Sequence, residues 1–233
     1  MAKICNAKVN TSSGGYNRVF NNDEMGRLMA KVQSTVISNG NELEKIILSK
    51  TQNITDLDVY IDAVTNGEIP NGTYVCTKRI LKKSSYKLDG NEPDLLVFVV
   101  QQKRVCKIIE LKDGDSFDTK KARGEQEHLE RFNLHIGAKI PFVSDYYVCC
   151  FNQTSKEEIV KGFKNAFEIE HVMTGKELCE ILGISYDEII EERKKDAKAN
   201  MEYFYQQLIA IPAIKEMMED EKYNNGDNQW GQY

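Results

Sequence analysis

Pro93-Asp94-Leu95-Leu96-Val97-Phe98-Val99-Val100, then Gln101-Gln102-Lys103-Arg104, then Val105-Cys106-Lys107-Ile108-Ile109-Glu110-Leu111-Lys112 is the stretch on which the fold turns. Two apolar runs of strand length, rich in Val and Ile, are joined by a short polar turn, and the turn cluster Leu88-Asp89-Gly90-Asn91-Glu92 precedes them. The pattern predicts an antiparallel hairpin buried over most of its length. In such a pair the start of one strand lies beside the end of the other, so Asp94 is expected to meet Glu110 and Lys112. Side chains alternate across a pleated strand, which puts Glu110 and Lys112 on one face and turns Leu111 to the other.

Two carboxylates and an ammonium at one end of a buried hairpin suit phosphodiester hydrolysis. Asp94 and Glu110 offer the hard oxygen ligands that Mg²⁺ prefers, and a bound Mg²⁺ neutralises charge on a phosphate and acidifies a coordinated water. The ammonium of Lys112 can hold that water or stabilise the charge that develops at phosphorus, without losing its proton.

Pro93-Asp94 followed by Glu110-Leu111-Lys112 resembles the PD-(D/E)XK nuclease motif, with every motif position filled. The resemblance covers roughly residues 40 to 152. It implies an α/β fold, a restriction-endonuclease-like core with a central mixed β-sheet flanked by helices, to which this chain adds a C-terminal helical region. It also implies a helical glutamate ahead of the hairpin that joins the metal site; Glu44 matches that placement and Glu42 is the alternative. Among PD-(D/E)XK nucleases the compact size is most similar to the type II restriction endonucleases. The implied activity is Mg²⁺-dependent hydrolysis of double-stranded DNA, with Mn²⁺ able to substitute, by a homodimer whose two active sites address the two strands of a palindrome. A structure-specific resolvase or repair nuclease is the nearest alternative, and a nucleic-acid-binding module that has lost the chemistry is another.

The triplet acid-x-Lys recurs at Asp118-Thr119-Lys120, Glu192-Arg193-Lys194, Asp196-Ala197-Lys198 and Asp220-Glu221-Lys222, all in polar or helical stretches. Only Glu110-Leu111-Lys112 ends a strand whose partner opens with Pro-Asp. Asp113, Asp115 and Asp118 follow as a polar turn, with a water-mediated role in the metal site as the competing reading. Candidate DNA contacts are the basic run Lys78, Arg79, Lys82 and Lys83, set between Tyr74 and Tyr86, and Lys120, Lys121 and Arg123 at the start of the next helix. A solvated charged surface is the competing reading for both groups. Gln126 lies on the same helix, where related nucleases place a polar residue toward the active site. His128, His135 and His171 have no Cys or His at ligand spacing and read as structural or exposed.

Outward from the hairpin, Asp118 to His135 is expected to be a helix with Ala122, Leu129, Phe132 and Ile136 inward, and Tyr146 to Phe151 a strand returning parallel to the sheet. Upstream, a helix should start at Asn22-Asp23, with Met25, Leu28, Met29, Val32 and Val36 at helical spacing, then break at Gly40 before a second piece carrying Leu43, Ile46 and Ile47. Downstream lie helices over 156–164, 175–182 and about 187–221, the last kinked or divided by Pro212. The expected organisation is a flexible N-terminal arm over 1–22, a single nuclease domain over 23–223 with its C-terminal helices from about 155, and a disordered tail over 224–233.

Acidic residues outnumber basic ones, 36 to 31, so any nucleic-acid surface must be local rather than a property of the whole chain. The cysteines Cys5, Cys76, Cys106, Cys149, Cys150 and Cys179 form no CxxC pair and mostly have apolar neighbours, which reads as reduced core thiols of a cytoplasmic protein. The N-terminus lacks the apolar run of a signal peptide, and no stretch is long and apolar enough to span a bilayer, so no membrane partner is expected.

Overall fold

The computed structural model describes residues 2–8, 14–114 and 119–226. They divide into two compact units, the described residues of 43–189 and those of 1–42 with 190–233. The helices are α1 (Gly14–Phe20), α2 (Asp23–Ser49), α3 (Leu57–Thr65), α4 (Lys78–Leu81), α5 (Thr119–Gly137), α6 (Lys156–Gly162), α7 (Gly175–Leu182), α8 (Tyr186–Ala210) and α9 (Pro212–Gly226). The strands are β1 (Gln52–Asn53), β2 (Gly72–Thr77), β3 (Leu95–Val100), β4 (Val105–Lys112), β5 (Val143–Cys150) and β6 (Val172–Thr174).

The unit spanning 43–189 is built on one mixed six-stranded sheet in the order β1-β2-β3-β4-β5-β6. Strands β2, β3 and β4 are mutually antiparallel, whereas β5 and β6 run parallel to β4. The hairpin takes the expected form, with Leu95 opposite Ile109 and Val99 opposite Val105. Being central, β3 is buried on both faces, which is why it reads as a continuous apolar run instead of an alternating one. Helix α5 covers the face carrying Leu96, Phe98, Cys106 and Ile108, and buries Ala122, Leu129, Phe132 and Ile136 against it. Strand β5 returns parallel beyond that helix, as a buried crossover requires.

The last strand and its helix are locked locally. Thr174 caps α7 by accepting from the Glu177 backbone N–H while the Glu177 carboxylate accepts from the Thr174 N–H, a reciprocal box. Gly175 is required, since a Cβ there would sit 2.1 Å from the carbonyl oxygen of Phe151. Residues 43–49 of α2 belong to this unit and bury Leu43, Ile46 and Ile47.

In the other unit the N-terminal segment and α2 meet α8. Asn200 of α8 donates to the Ala2 carbonyl and accepts from the Ile4 N–H, each at 2.8 Å, and Lys31 donates to the Tyr203 hydroxyl at 2.9 Å. The stretch expected to be a flexible arm therefore contains a 3-10 turn at Ile4–Asn6, with Ile4 buried, and helix α1; residues 9–13 lie outside the described residues. Its partners come from the far end of the sequence, and a local reading cannot see them. For the same reason, what reads as one domain divides into two units.

Three further expectations change. Helix α2 passes through Gly40 without a break, because a lone glycine costs a long helix only about 1 kcal/mol. Its Asn22 cap is present, accepting from the Met25 N–H at 2.9 Å, but Val36 is exposed. Of the basic run after β2, Lys78 and Arg79 fold into α4, capped by Thr77, and Lys82 and Lys83 form the turn that follows it. Pro212 does divide α8 from α9; α9 runs on to Gly226, and residues 227–233 lie outside the described residues. Among the described residues no helix is long and apolar enough to cross a membrane.

Candidate active site

Helix α4 and β3 meet at Asp94, whose carbonyl accepts from the Lys78 N–H at 2.9 Å. The Asp94 side chain reaches across to β4. Its Oδ2 accepts from the Leu111 N–H at 3.0 Å, between Glu110 and Lys112, and its Oδ1 lies 3.4 Å from Lys78 Nζ. Glu110 and Lys112 project from the α5 side of the sheet, where the pleat places them together, and Lys112 Nζ is 2.6 Å from Glu110 Oε1. From α5, Glu125 Oε1 approaches the same ammonium at 3.4 Å. A cleft of about 220 Å³ opens beside them, lined by Lys78, Glu92, Pro93, Glu110, Glu125 and His128 among others.

Carboxylates outnumber ammonium groups here, and the ionisation of each group follows. Glu110 is only 8% exposed; burial first, then repulsion from Asp94, lifts its pKa to about 8 against the pull of Lys112. Burial also raises Glu44, and the charge of Asp94 adds to the rise while Lys78 and Lys45 oppose it. Asp94 and Glu44 thus feel one another, which brings the α2 glutamate into the electrostatic neighbourhood of the hairpin. For Lys112, burial works to lower the pKa, but the charges of Glu110, Glu125 and Asp94 outweigh it and the ammonium is held above its ordinary value. Lys112 is therefore a fixed cation, able to donate and unable to act as a base near neutral pH.

Among the described residues no three or more His, Cys, Asp or Glu side chains form a ready-made metal cage. The donor chemistry still fits a hard divalent cation. Asp94 and Glu110 offer only oxygens, and such ions complete their shells with water and phosphate rather than protein. Burial first, and then the charges of Asp94 and Glu125, disfavour the ionised form of Glu110, and a bound cation would favour it again.

The other sequence candidates distribute unevenly. Lys78, grouped by sequence with the DNA-contacting residues, is turned onto Asp94 and lines the cleft. Arg79, Lys82, Lys83, Lys120, Lys121 and Arg123 are exposed. Gln126 donates to Glu130 at 3.0 Å and to the Tyr146 hydroxyl at 3.4 Å rather than to the hairpin carboxylates. Asp113 accepts from Asn152 at 2.8 Å, a turn role, while Asp115 and Asp118 lie outside the described residues. His128 is exposed at the cleft, and His171 stacks on Tyr146 with ring centroids 4.1 Å apart. Sequence reasoning missed Glu125. The signal was there: it falls three residues after Ala122 and four before Leu129, on the stripe of α5 that faces the core, where a carboxylate needs a partner.

The chain is 51% identical over 221 residues to the type II restriction enzyme HhaII of Haemophilus parahaemolyticus, a match covering 93% of this chain and 97% of that protein. It is 25% identical over 162 residues to the type II restriction enzyme CfrBI of Citrobacter freundii, covering 63% of this chain and 45% of that one. No protein-family profile and no solved structure matches.

Proposed function

The chain belongs to the type II restriction enzymes, DNA endonucleases, and on that premise we propose that it cuts DNA at the end of the hairpin that carries Asp94, Glu110 and Lys112. The observation that carries the assignment is the convergence of the two carboxylates and the ammonium at one end of the hairpin, with Asp94 fastened to the backbone between the other two and Glu110 lining the adjoining cleft. The family places the resolvase, repair-nuclease and inactive-module alternatives behind a restriction endonuclease.

Asp94 and Glu110 would hold a divalent cation, Mg²⁺ in the cell and Mn²⁺ as a substitute, with Glu44, whose carboxyl feels the charge of Asp94, as the further oxygen donor. Such a cation supplies charge neutralisation at the scissile phosphate and a more acidic water. Lys112, kept protonated, donates to the attacking water or to a non-bridging phosphate oxygen, where negative charge grows as the water oxygen bonds to phosphorus and the ester P–O bond breaks. Lys78 holds Asp94 in its rotamer and adds a positive charge at the cleft wall. Burial of Glu110 keeps bulk water from screening these interactions.

The substrate is double-stranded DNA, bound by a homodimer that presents one site to each strand, with the exposed Arg79, Lys82, Lys83, Lys120, Lys121 and Arg123 as phosphate contacts. The compartment is the cytoplasm, in keeping with six cysteines that form no disulfide among the described residues, five of them buried.

Digestion of unmethylated phage DNA with and without Mg²⁺, beside Glu110→Ala and Lys112→Ala, tests the reading. Discrete fragments that need the cation and disappear in both variants are expected. Fragments that persist in Lys112→Ala at the wild-type rate would reject the assignment of the site.

A further inference from the structure

Glu125 stands beside Lys112 and takes no part in the chemistry above. Its Oε1 is 3.4 Å from Lys112 Nζ, while Glu110 Oε1 is 2.6 Å away, so the ammonium lies between two carboxylates. The two partners differ in what else they are asked to do. Glu110 is needed for the cation; Glu125 reaches in from α5, a helix held by Ala122, Leu129 and Phe132 in the core. Its side chain is mostly buried, at 29% exposure, and Lys112 is tighter still at 21%.

Given that Glu110 binds the cation, the 2.6 Å contact sets up a conflict. A dication on Glu110 competes with Lys112 for carboxylate lone pairs and repels the ammonium, whose four-carbon stem can swing it into water. A swing of about 1 Å in a group that must face the phosphate is enough to cost on the order of a hundredfold in rate. We propose that Glu125 is a positioning residue that keeps Lys112 over the reacting phosphate once Glu110 turns to the cation. Glu125 thus acts on the reaction only through Lys112, whereas a Glu125 that bound the cation directly would act independently of the lysine.

A double-mutant cycle separates the two, read as single-turnover cleavage of phage DNA in Mn²⁺ together with calorimetric Mn²⁺ affinity of each full-length variant. Glu125→Ala is expected to lower the cleavage rate about tenfold to a hundredfold with little change in KM for DNA. Glu125→Gln, which keeps an oxygen able to accept from Nζ, is expected to recover most of that rate. Adding Glu125→Ala to Lys112→Ala is expected to cause no further loss, and Mn²⁺ affinity in Glu125→Ala is expected to stay within about threefold of wild type. Additive losses in the cycle, or Mn²⁺ binding weakened as far as in Glu110→Ala, would overturn the inference and leave the proposed site standing. Full activity of Lys112→Ala would instead bring down the site assignment and this inference with it.

Discussion

Lys107 and Lys112 share strand β4, on opposite faces, and burial acts on both, yet their ionisation is pushed in opposite directions. For Lys107 burial prevails: Asp145 and Glu177 pull the pKa up, Lys156 adds to the fall, and the net shift is downward. For Lys112 the charges of Glu110, Glu125 and Asp94 overcome burial. The surroundings differ in kind as well. Lys107 donates to the Tyr147 hydroxyl at 3.2 Å, with its ammonium 4.5 Å from that ring's centroid, and Tyr147 passes the chain on to Asp145 at 2.9 Å. That network is close to neutral and closed on itself. At the other end of the strand, negative charge is gathered beyond what the local lysines neutralise. Buried polar residues that satisfy one another are structural by default; a buried surplus of one sign is a cost that the fold alone does not explain, and it points to a charged ligand.

The largest effect that could break this comparison is on cleavage. Lys112→Ala is expected to slow single-turnover cutting of phage DNA by roughly a hundredfold to a thousandfold, the scale of losing one preorganised donor at a developing charge. Lys107→Ala, on the same strand, is expected to leave the rate within about twofold, since its partners do not touch the cleft. Equal losses in the two variants would mean that the strand as a whole, and not its charged end, matters to the reaction.

A smaller effect sharpens the comparison through pH. Glu110 titrates higher folded than unfolded, its pKa moving from an ordinary 4.5 to about 8. Below the lower value both states are protonated and the group costs nothing. As pH rises toward the upper one, the unfolded chain releases the proton first, so the cation-free protein loses stability across that window and levels off above it. Melting temperatures of the cation-free protein are therefore expected to fall between about pH 5 and pH 8, and Glu110→Gln is expected to flatten the profile. An unchanged slope in Glu110→Gln would place the surplus charge elsewhere.

Much of this was legible in the sequence, because the hairpin is short-range. Strand runs, a polar turn and the pleat suffice to bring Asp94 to Glu110 and Lys112, and α5 and β5 follow from spacing and the parallel crossover. What the sequence hid was set by distant partners or by brevity. Strand β6 is three residues long and carries no periodicity of its own, and β1 is shorter. Ile4 is buried and the Ala2 carbonyl is satisfied only because Asn200 returns to them. Lys78 looked like one of a run of surface cations until the fold of α4 turned it onto Asp94. Glu125 was the avoidable miss, since a carboxylate on an inward helical stripe asks for a partner. The identity of that partner needed the sheet.

The smallest expected effect lies in the closed network. The Tyr147 hydroxyl accepts from Lys107 and donates to Asp145, so Tyr147→Phe breaks the chain while keeping the ring under the Lys107 ammonium. Asp145 is 43% exposed and regains water for the lost donor, and His171 stays 3.4 Å from its other oxygen. The cost is then that of one partly solvated hydrogen bond, about 1 kcal/mol or less in urea unfolding, with cleavage unchanged. A loss well beyond that would show that Lys107 depends on Tyr147 for its tolerance of burial, and that the two ends of β4 are more alike than their charges suggest.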